Sequence, residues 1–470
     1  MKLNFFFALF SAVAVLFAGC TLMPQYERPA APVSEAWPDN QSATNRVNPA
    51  EIHWRDFFDD PQLQALIGLS LTNNRDLRIA ALRVEQSRAQ YRIQRSALFP
   101  LIDAGAAGVR QHTPRTVSIT GQDFTTTTYD VNVGASYELD LFGRVRSLKR
   151  EALERYLALE ETRKSAQIAL ISEVAAQYLT FLQLSDGRAL TEQTLAAVES
   201  SFNLNKSSFE AGVASELDLR TAEAQVQTAR VNVSTFDQLL SQTENALVLL
   251  IGQPMPRDLP PGRPLSEQRL LTDLPAGLPS ELLQRRPDIL ASEHILKSAN
   301  ANIGAARAAF FPRILLTGSA GTASARLSDL FTGPSAAWSF SPQITVPIFE
   351  GGRNRANLDV AQISKQIEIA SYERAIQAAF REVSDALAVR AFVEAKLSAQ
   401  GLLVQALQKR FDLTSARYRQ GVDSYVDVLL AQQDLYTAQQ NFLQFQAARL
   451  INAVALYRTL GGGWMPSNPS

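Results

Sequence analysis

Cysteine occurs once and histidine three times in these 470 residues. A single thiol excludes an internal disulfide, and His53, His112 and His294 are scattered without metal-ligand spacing. Neither a phosphate-cradling glycine loop nor a Gly-x-Ser-x-Gly nucleophile elbow occurs. Gly461-Gly462-Gly463 reads as a helix stop, and Asp59-Asp60 beside Pro61 as a helix start. No sign of charge is in excess: 45 Lys and Arg face 46 Asp and Glu, and no basic stretch offers a nucleic-acid footprint. The residues therefore describe a non-catalytic chain needing no metal and no cofactor. Proline is missing from 115–253 and from 348–465, so nothing there forbids very long helices.

What is present is present twice. Ser208-Phe209-Glu210-Ala211-Gly212-Val213-Ala214-Ser215-Glu216-Leu217-Asp218 is echoed by Arg417-Tyr418-Arg419-Gln420-Gly421-Val422-Asp423-Ser424-Tyr425-Val426-Asp427, and Gly143-Arg144 by Gly352-Arg353, both at an offset of 209. Earlier, with slippage, Arg95–Pro100 matches Arg307–Pro312. So long a period excludes a solenoid, whose repeats run about 20–50 residues. One structural half is built twice, over 61–253 and 278–461, around a Pro-rich linker at 254–277 and before a tail at 462–470.

The amino end carries Lys2, an apolar run and then Ala18-Gly19-Cys20, the pattern of a cleaved export signal over 1–19. The site resembles that of bacterial lipoproteins, which implies acylation of Cys20. Thr21, where retained inner-membrane lipoproteins carry Asp, implies the outer membrane. Prolines 24, 29, 32 and 38 keep the segment 20–60 extended.

Each half predicts the same series: a helix, a β-hairpin (101–141; 313–349), a long helix (144–210; 353–419) and a return helix (215–251; 424–460). A helix over 144–210 would reach about 100 Å, roughly three times the hydrocarbon core of a bilayer. Gly212 and Gly421 suit left-handed helix stops. Leu219, Ala222, Val226, Ala229, Val233, Phe236, Leu240, Thr243, Leu247 and Leu250 alternate spacings of three and four, which predicts coiled packing. In the strand segments, Val131, Val133, Ala135, Tyr137, Leu139 and Leu141 alternate with polar residues, as do Trp338, Phe340, Ile344, Val346 and Ile348. Loops are expected near 112–126 and 324–335. Lipid tolerates a sheet only as a closed barrel, and four strands cannot close. Two copies give a barrel filled by its own side chains; three give twelve strands and a lumen.

Tyr137–Arg144, Arg285-Arg286-Pro287-Asp288-Ile289, Ala308–Arg313 and Pro347–Arg353 resemble motifs of the outer membrane factors, TolC-like exit ducts, and most closely the OprM-type lipoproteins. The resemblance covers essentially the whole chain. It implies an α+β membrane fold: a trimeric twelve-stranded β-barrel, four strands per chain, continuous with a coiled-coil helical barrel in the periplasm. An equatorial domain would come from 50–75, 254–285 and the carboxyl end. It also implies a homotrimer in the outer membrane that meets a periplasmic adaptor and an inner-membrane pump and releases drugs and other small toxic compounds. Ducts for secreted polypeptides, and a non-conducting lipid-anchored coiled coil, are the competing readings. By the same resemblance Asp427, Asp218 and Tyr418 match the gate at the periplasmic tip, with Asp423 beside them and Arg417, Arg419 and Arg220 as tethers. Ser424 with Asp427 and Ser215 with Asp218 are equally spaced as helix N-caps.

Overall fold

The computed structural model describes residues 21–34, 37, 51–270, 274 and 279–463. The export signal and Cys20 lie outside them, as do most of 35–50, most of 271–278 and the tail from 464. The chain divides into two compact units, and both halves of the duplication contribute to each. The first holds residues up to 30, 83–160 and 291–373, and the second holds 31–82, 161–290 and 374–470.

The described helices are α1 (Trp54–Phe57), α2 (Pro61–Asn73), α3 (Arg75–Ser96), α4 (Arg144–Glu210), α5 (Glu216–Ile251), α6 (Pro279–Arg285), α7 (Pro287–Ala308), α8 (Arg353–Arg419) and α9 (Tyr425–Thr459). The strands are β1 (Leu101–Thr113), β2 (Phe124–Leu139), β3 (Arg313–Ser324) and β4 (Ala336–Thr345). α4 and α8 are each 67 residues long and begin at equivalent positions of the two halves.

In the first unit the strands form one antiparallel sheet in the order β1-β2-β3-β4. Its register sorts the side chains by face. Ile102, Ala104 and Ala106 stand opposite Ala135, Val133 and Val131, which continue to Gly318, Ala320 and Thr322 and then to Phe340, Trp338 and Ala336. Below them Tyr137 and Leu139 meet Leu316 and Ile314, which meet Pro342 and Ile344. The other face carries Asp103, Asn132, Ser136, Thr317, Ser319, Ser339, Ser341 and Gln343. From Tyr129 to Leu139 the apolar face runs about 33 Å along the strand, or about 25 Å at a tilt near 40°, the height of an outer-membrane band.

Both hairpins differ from the sequence expectation at their ends. β2 begins at Phe124, seven residues before the apolar alternation, because Thr125–Thr128 are β-branched and pair with β1 without any apolar contrast. β4 stops at Thr345 and not near 349: Pro347 lacks a donor, and Gly351 and Gly352 turn the chain at positive φ. Val346 and Ile348 therefore lie beyond the strand.

In the second unit, α2 starts where Asp60 accepts from the backbone N–H of Gln62 and Leu63. The other Asp60 oxygen accepts from Tyr178, from Gln268 and from the Arg263 backbone. Tyr457 stacks on Phe57 at 4.1 Å, and Phe58 bridges to Leu270. Arg286, in the joint between α6 and α7, donates to both Asp288 oxygens, to Glu382 and to the Thr459 carbonyl. The segments expected near 50–75 and 254–285, with the end of the last helix, thus form one core. Along α5, Ala222, Val226, Ala229, Thr243 and Leu247 of the alternating series are buried.

Candidate functional site

Two features of the chain are built for work at a boundary: the sheet with its faces, and the helix ends at Gly212 and Gly421.

The sheet leaves its apolar face uncovered, with Trp338 80% exposed and Ile102, Phe340 and Ile344 above 60%. Contiguous apolar surface of that kind marks an interaction site. β1 and β4 are both edges, and every residue of β4 and of β1 from Leu101 to His112 is exposed. At the base of the sheet Glu138 takes Arg144 through both oxygens, at 2.8 and 2.7 Å, and also Arg313 at 2.8 Å. Asp140 caps the start of α4, accepting from the backbone N–H of Val145 and Arg146. The motif residues 138–144 are thus the clamp that fixes the passage from strand to helix.

The helix ends, in the second unit, repeat one design. Val213 N–H reaches the Ser208 carbonyl and Gly212 N–H that of Phe209; Val422 and Gly421 do the same to Arg417 and Tyr418. These are paired Schellman closures, and Gly212 and Gly421 sit at φ 76° and 74° as the closure demands. The next helices then open with complete capping boxes, Ser215 with Asp218 and Ser424 with Asp427. Asp218 and Asp427 are therefore the third helical residues of these boxes, accepting the N–H of the Ser215 and Ser424 caps, and both bonds lie at the exposed surface.

The second end differs from the first in its side chains. Arg417 grips Asp423 through two bonds of 2.8 Å, and the pair stands where the first end has Ser208 and Ala214. That guanidinium holds the Asp423 carboxyl below the usual carboxylate range. Tyr418 lies 5.6 Å from Tyr425, ring to ring, and its hydroxyl donates to Asn205 Oδ1 at 3.5 Å. Burial pushes the Tyr418 hydroxyl up, helped by the Asp218 charge.

Arg220 was expected as a tether, yet it pairs with Glu216 and Glu223 of its own helix, because those acids are one turn away and exposed like it. Arg419 is exposed and makes no ion pair among the described residues. Sequence reasoning missed Tyr425. It is buried with Ala222 and Leu429 against Phe202 and Tyr418, so residues of α4, α5, α8 and α9 meet at one ring. Its hydroxyl lies near Ser201 and Asn205 without completing a hydrogen bond. Only its place as the first residue after the cap, where the other half has Glu216, could have signalled it.

The model of a family described as outer membrane efflux protein matches residues 66–253 and again 278–462, so the two copies begin 212 and end 209 residues apart. The chain is 49% identical over 462 residues to the probable efflux pump outer membrane protein TtgC of Pseudomonas putida, covering 97% of this chain and 95% of that one. It is equally similar to the toluene efflux pump outer membrane protein TtgC from another strain of Pseudomonas putida, with the same coverage. Its fold superposes on the open state of the Neisseria gonorrhoeae MtrE outer membrane channel with a TM-score of 0.87, at 41% identity, covering 95% of this chain and 99% of that one.

Proposed function

The chain belongs to the outer membrane efflux protein family, and from that premise we propose that three copies close a twelve-stranded barrel serving as the passive exit duct of a tripartite pump. The observation that carries this is the sheet: an uncovered apolar face, a polar face opposite, and two unpaired edges on the same four strands. In hydrocarbon every edge amide must find a partner, and another copy supplies it. β1 and β4 run antiparallel, so β4 of one copy can pair with β1 of the next in the alternation that the sheet already follows. The apolar face then meets lipid and the Asp103–Ser341 face lines water.

The cargo is small and toxic, drugs and solvents, in line with relatives named for antibiotic and toluene efflux. The gate is the ring of helix ends, where Asp427, Asp423 and Asp218 supply a cation-attracting mouth and Tyr418 and Arg417 hold it together. A periplasmic adaptor docks on the same ends and an inner-membrane pump drives the flow. Val213, Leu217, Val422, Val426 and Leu430 are exposed there and give an adaptor an apolar grip. Cys20 carries the lipid.

Native mass measurement of the detergent-extracted complex should give three chains, and planar-bilayer recording should give conductance. A complex of another number, or one that never conducts even with the tip loosened, removes the reading.

A further inference from the structure

The apolar face of the sheet changes character at one end. Arg110 and His112 are the only basic side chains that the four strands place on it, and they place no carboxylate there. Both stand on β1 beyond the rung of Tyr129, whose ring lies against Gly108, where a Cβ would come within 3.2 Å of it. Opposite them β2 sets Thr127 and Thr125, and His112 Nδ1 lies 3.2 Å from the Thr125 hydroxyl. At the other end the same face stays apolar through Leu139, Ile314 and Ile344, and Glu138 and Arg313 belong to the opposite face.

The β1–β2 ribbon also outruns the rest of the sheet. β3 stops at Ser324, opposite Tyr129, while β1 and β2 continue to pair up to Thr113 and Phe124. Arg110 is exposed there and makes no ion pair or side-chain hydrogen bond among the described residues, and neither does Arg115 in the turn that follows. Residues 109–128 set these two guanidinium groups against a single carboxylate, Asp123. An arginine at the rim of an apolar band lays its stem along the band and lifts its head into the layer above.

The rungs give the height of that layer. Tyr129 closes the apolar band at the end away from the helices. Thr127 with Arg110, then Thr125 with His112, follow at about 7 and 14 Å along the strand, or about 5 and 10 Å of height at a tilt near 40°. Headgroups occupy about 5–7 Å on each side of the hydrocarbon. Arg110 falls within that layer and His112 rises beyond it.

We infer that Arg110, with His112, Thr125 and Thr127 beside it, is a phosphate-binding plate for a phosphorylated glycolipid of the outer leaflet. The guanidinium fork matches a phosphate through two bonds, hydroxyls and an imidazole stand next to it, and the apolar face below receives the acyl chains. The rise to His112 suits a headgroup of phosphorylated sugars better than a single phosphate ester. The inference rests on the reading of this face as lipid-facing, and its test separates the two.

The detergent-extracted complex is incubated with diphosphorylated lipid A, with the same lipid A stripped of phosphate, and with phosphatidylglycerol, and bound lipid is counted by native mass. The diphosphorylated form should bind saturably, about tenfold or more tighter than the stripped form. Arg110→Ser should weaken it about tenfold or more, and Arg110→Lys less, because an ammonium keeps the charge without the fork. Thr127→Val should weaken it about twofold to tenfold. Chain number and the protease resistance of the sheet should not change. Equal binding of stripped lipid A, a preference for phosphatidylglycerol, or Arg110→Ser binding like the parent overturns the plate. A variant that loses lipid only by dissociating into single chains assigns Arg110 to the contact between copies, and overturns it too.

The lipid-facing reading is scored separately in vesicles, where brominated acyl chains should quench the fluorescence that Trp338→Phe removes. Absent quenching ends that reading, whereas quenching beside lipid A binding indifferent to Arg110 ends the plate alone.

Discussion

Replacing Tyr425 by alanine removes the ring on which α4, α5, α8 and α9 converge at the helix ends. Truncating a buried aromatic costs about 3–5 kcal/mol in a core. Tyr425 is 5% exposed in a small cluster, so the lower end applies, about 3 kcal/mol. At about 1.4 kcal/mol per tenfold, the packed end should open on the order of 100-fold more often. Tyr425→Phe separates packing from hydrogen bonding. Its hydroxyl completes no hydrogen bond among the described residues, and an unsatisfied buried polar group costs about 1–3 kcal/mol, so Phe should leave the end as tight or tighter. Open fraction in planar bilayers, with amide exchange around 202–210 and 418–425, reads both variants. A Phe variant that opens as far as the Ala variant would refute the packing argument, and so would an Ala variant indistinguishable from the parent.

Three further outcomes follow from the same geometry. Arg417 depresses the Asp423 carboxyl, so the pair contributes fully above the unfolded value near ~3.9 and is lost as pH falls through the lower folded value. Conductance should then be flat from about pH 5 to 8 and change only in stronger acid, and Arg417→Ala should abolish that acid step; a transition near pH 6 contradicts it. Ser424→Ala should cost about 1 kcal/mol at the start of α9 by amide exchange, whereas Asp427→Asn keeps an acceptor for the cap and should mainly lower cation preference in reversal-potential measurements. Gly252→Ala combines a φ of 76° with a Cβ that would run into the Asn73 carbonyl, while Gly212 has the same φ in open space. Alanine at either position should lose about 1–2 kcal/mol for the left-handed residue, and Gly252→Ala about 1–3 kcal/mol more for the overlap, visible as a lower Tm.

The helix ends were legible because the marks are local: a glycine that alone tolerates the closure, then Ser and Asp three apart. The sheet was legible where apolar and polar residues alternate and illegible over Thr125–Thr128, where every side chain is alike in shape and polarity. The break between α2 and α3 falls at Asn74, whose Oδ1 takes the Leu77 N–H as a cap while its Nδ2 donates to the Leu250 carbonyl, a partner 176 residues away that no local pattern announces. Distance in sequence hid the rest as well. Glu293 and Arg28 are 265 residues apart, and nothing near either announces the other. Arg285-Arg286-Pro287-Asp288 was recognised as a motif, but only the fold reveals that Arg286 reaches Glu382 and the last turn of α9.

The turns at Gly212 and Gly421 each fold the last carbonyls of one helix and the first amides of the next into bonds of their own, through the glycine closure on one side and the Ser-Asp box on the other. So short a closure leaves little slack, and a turn held at both shoulders is a corner more than a loop.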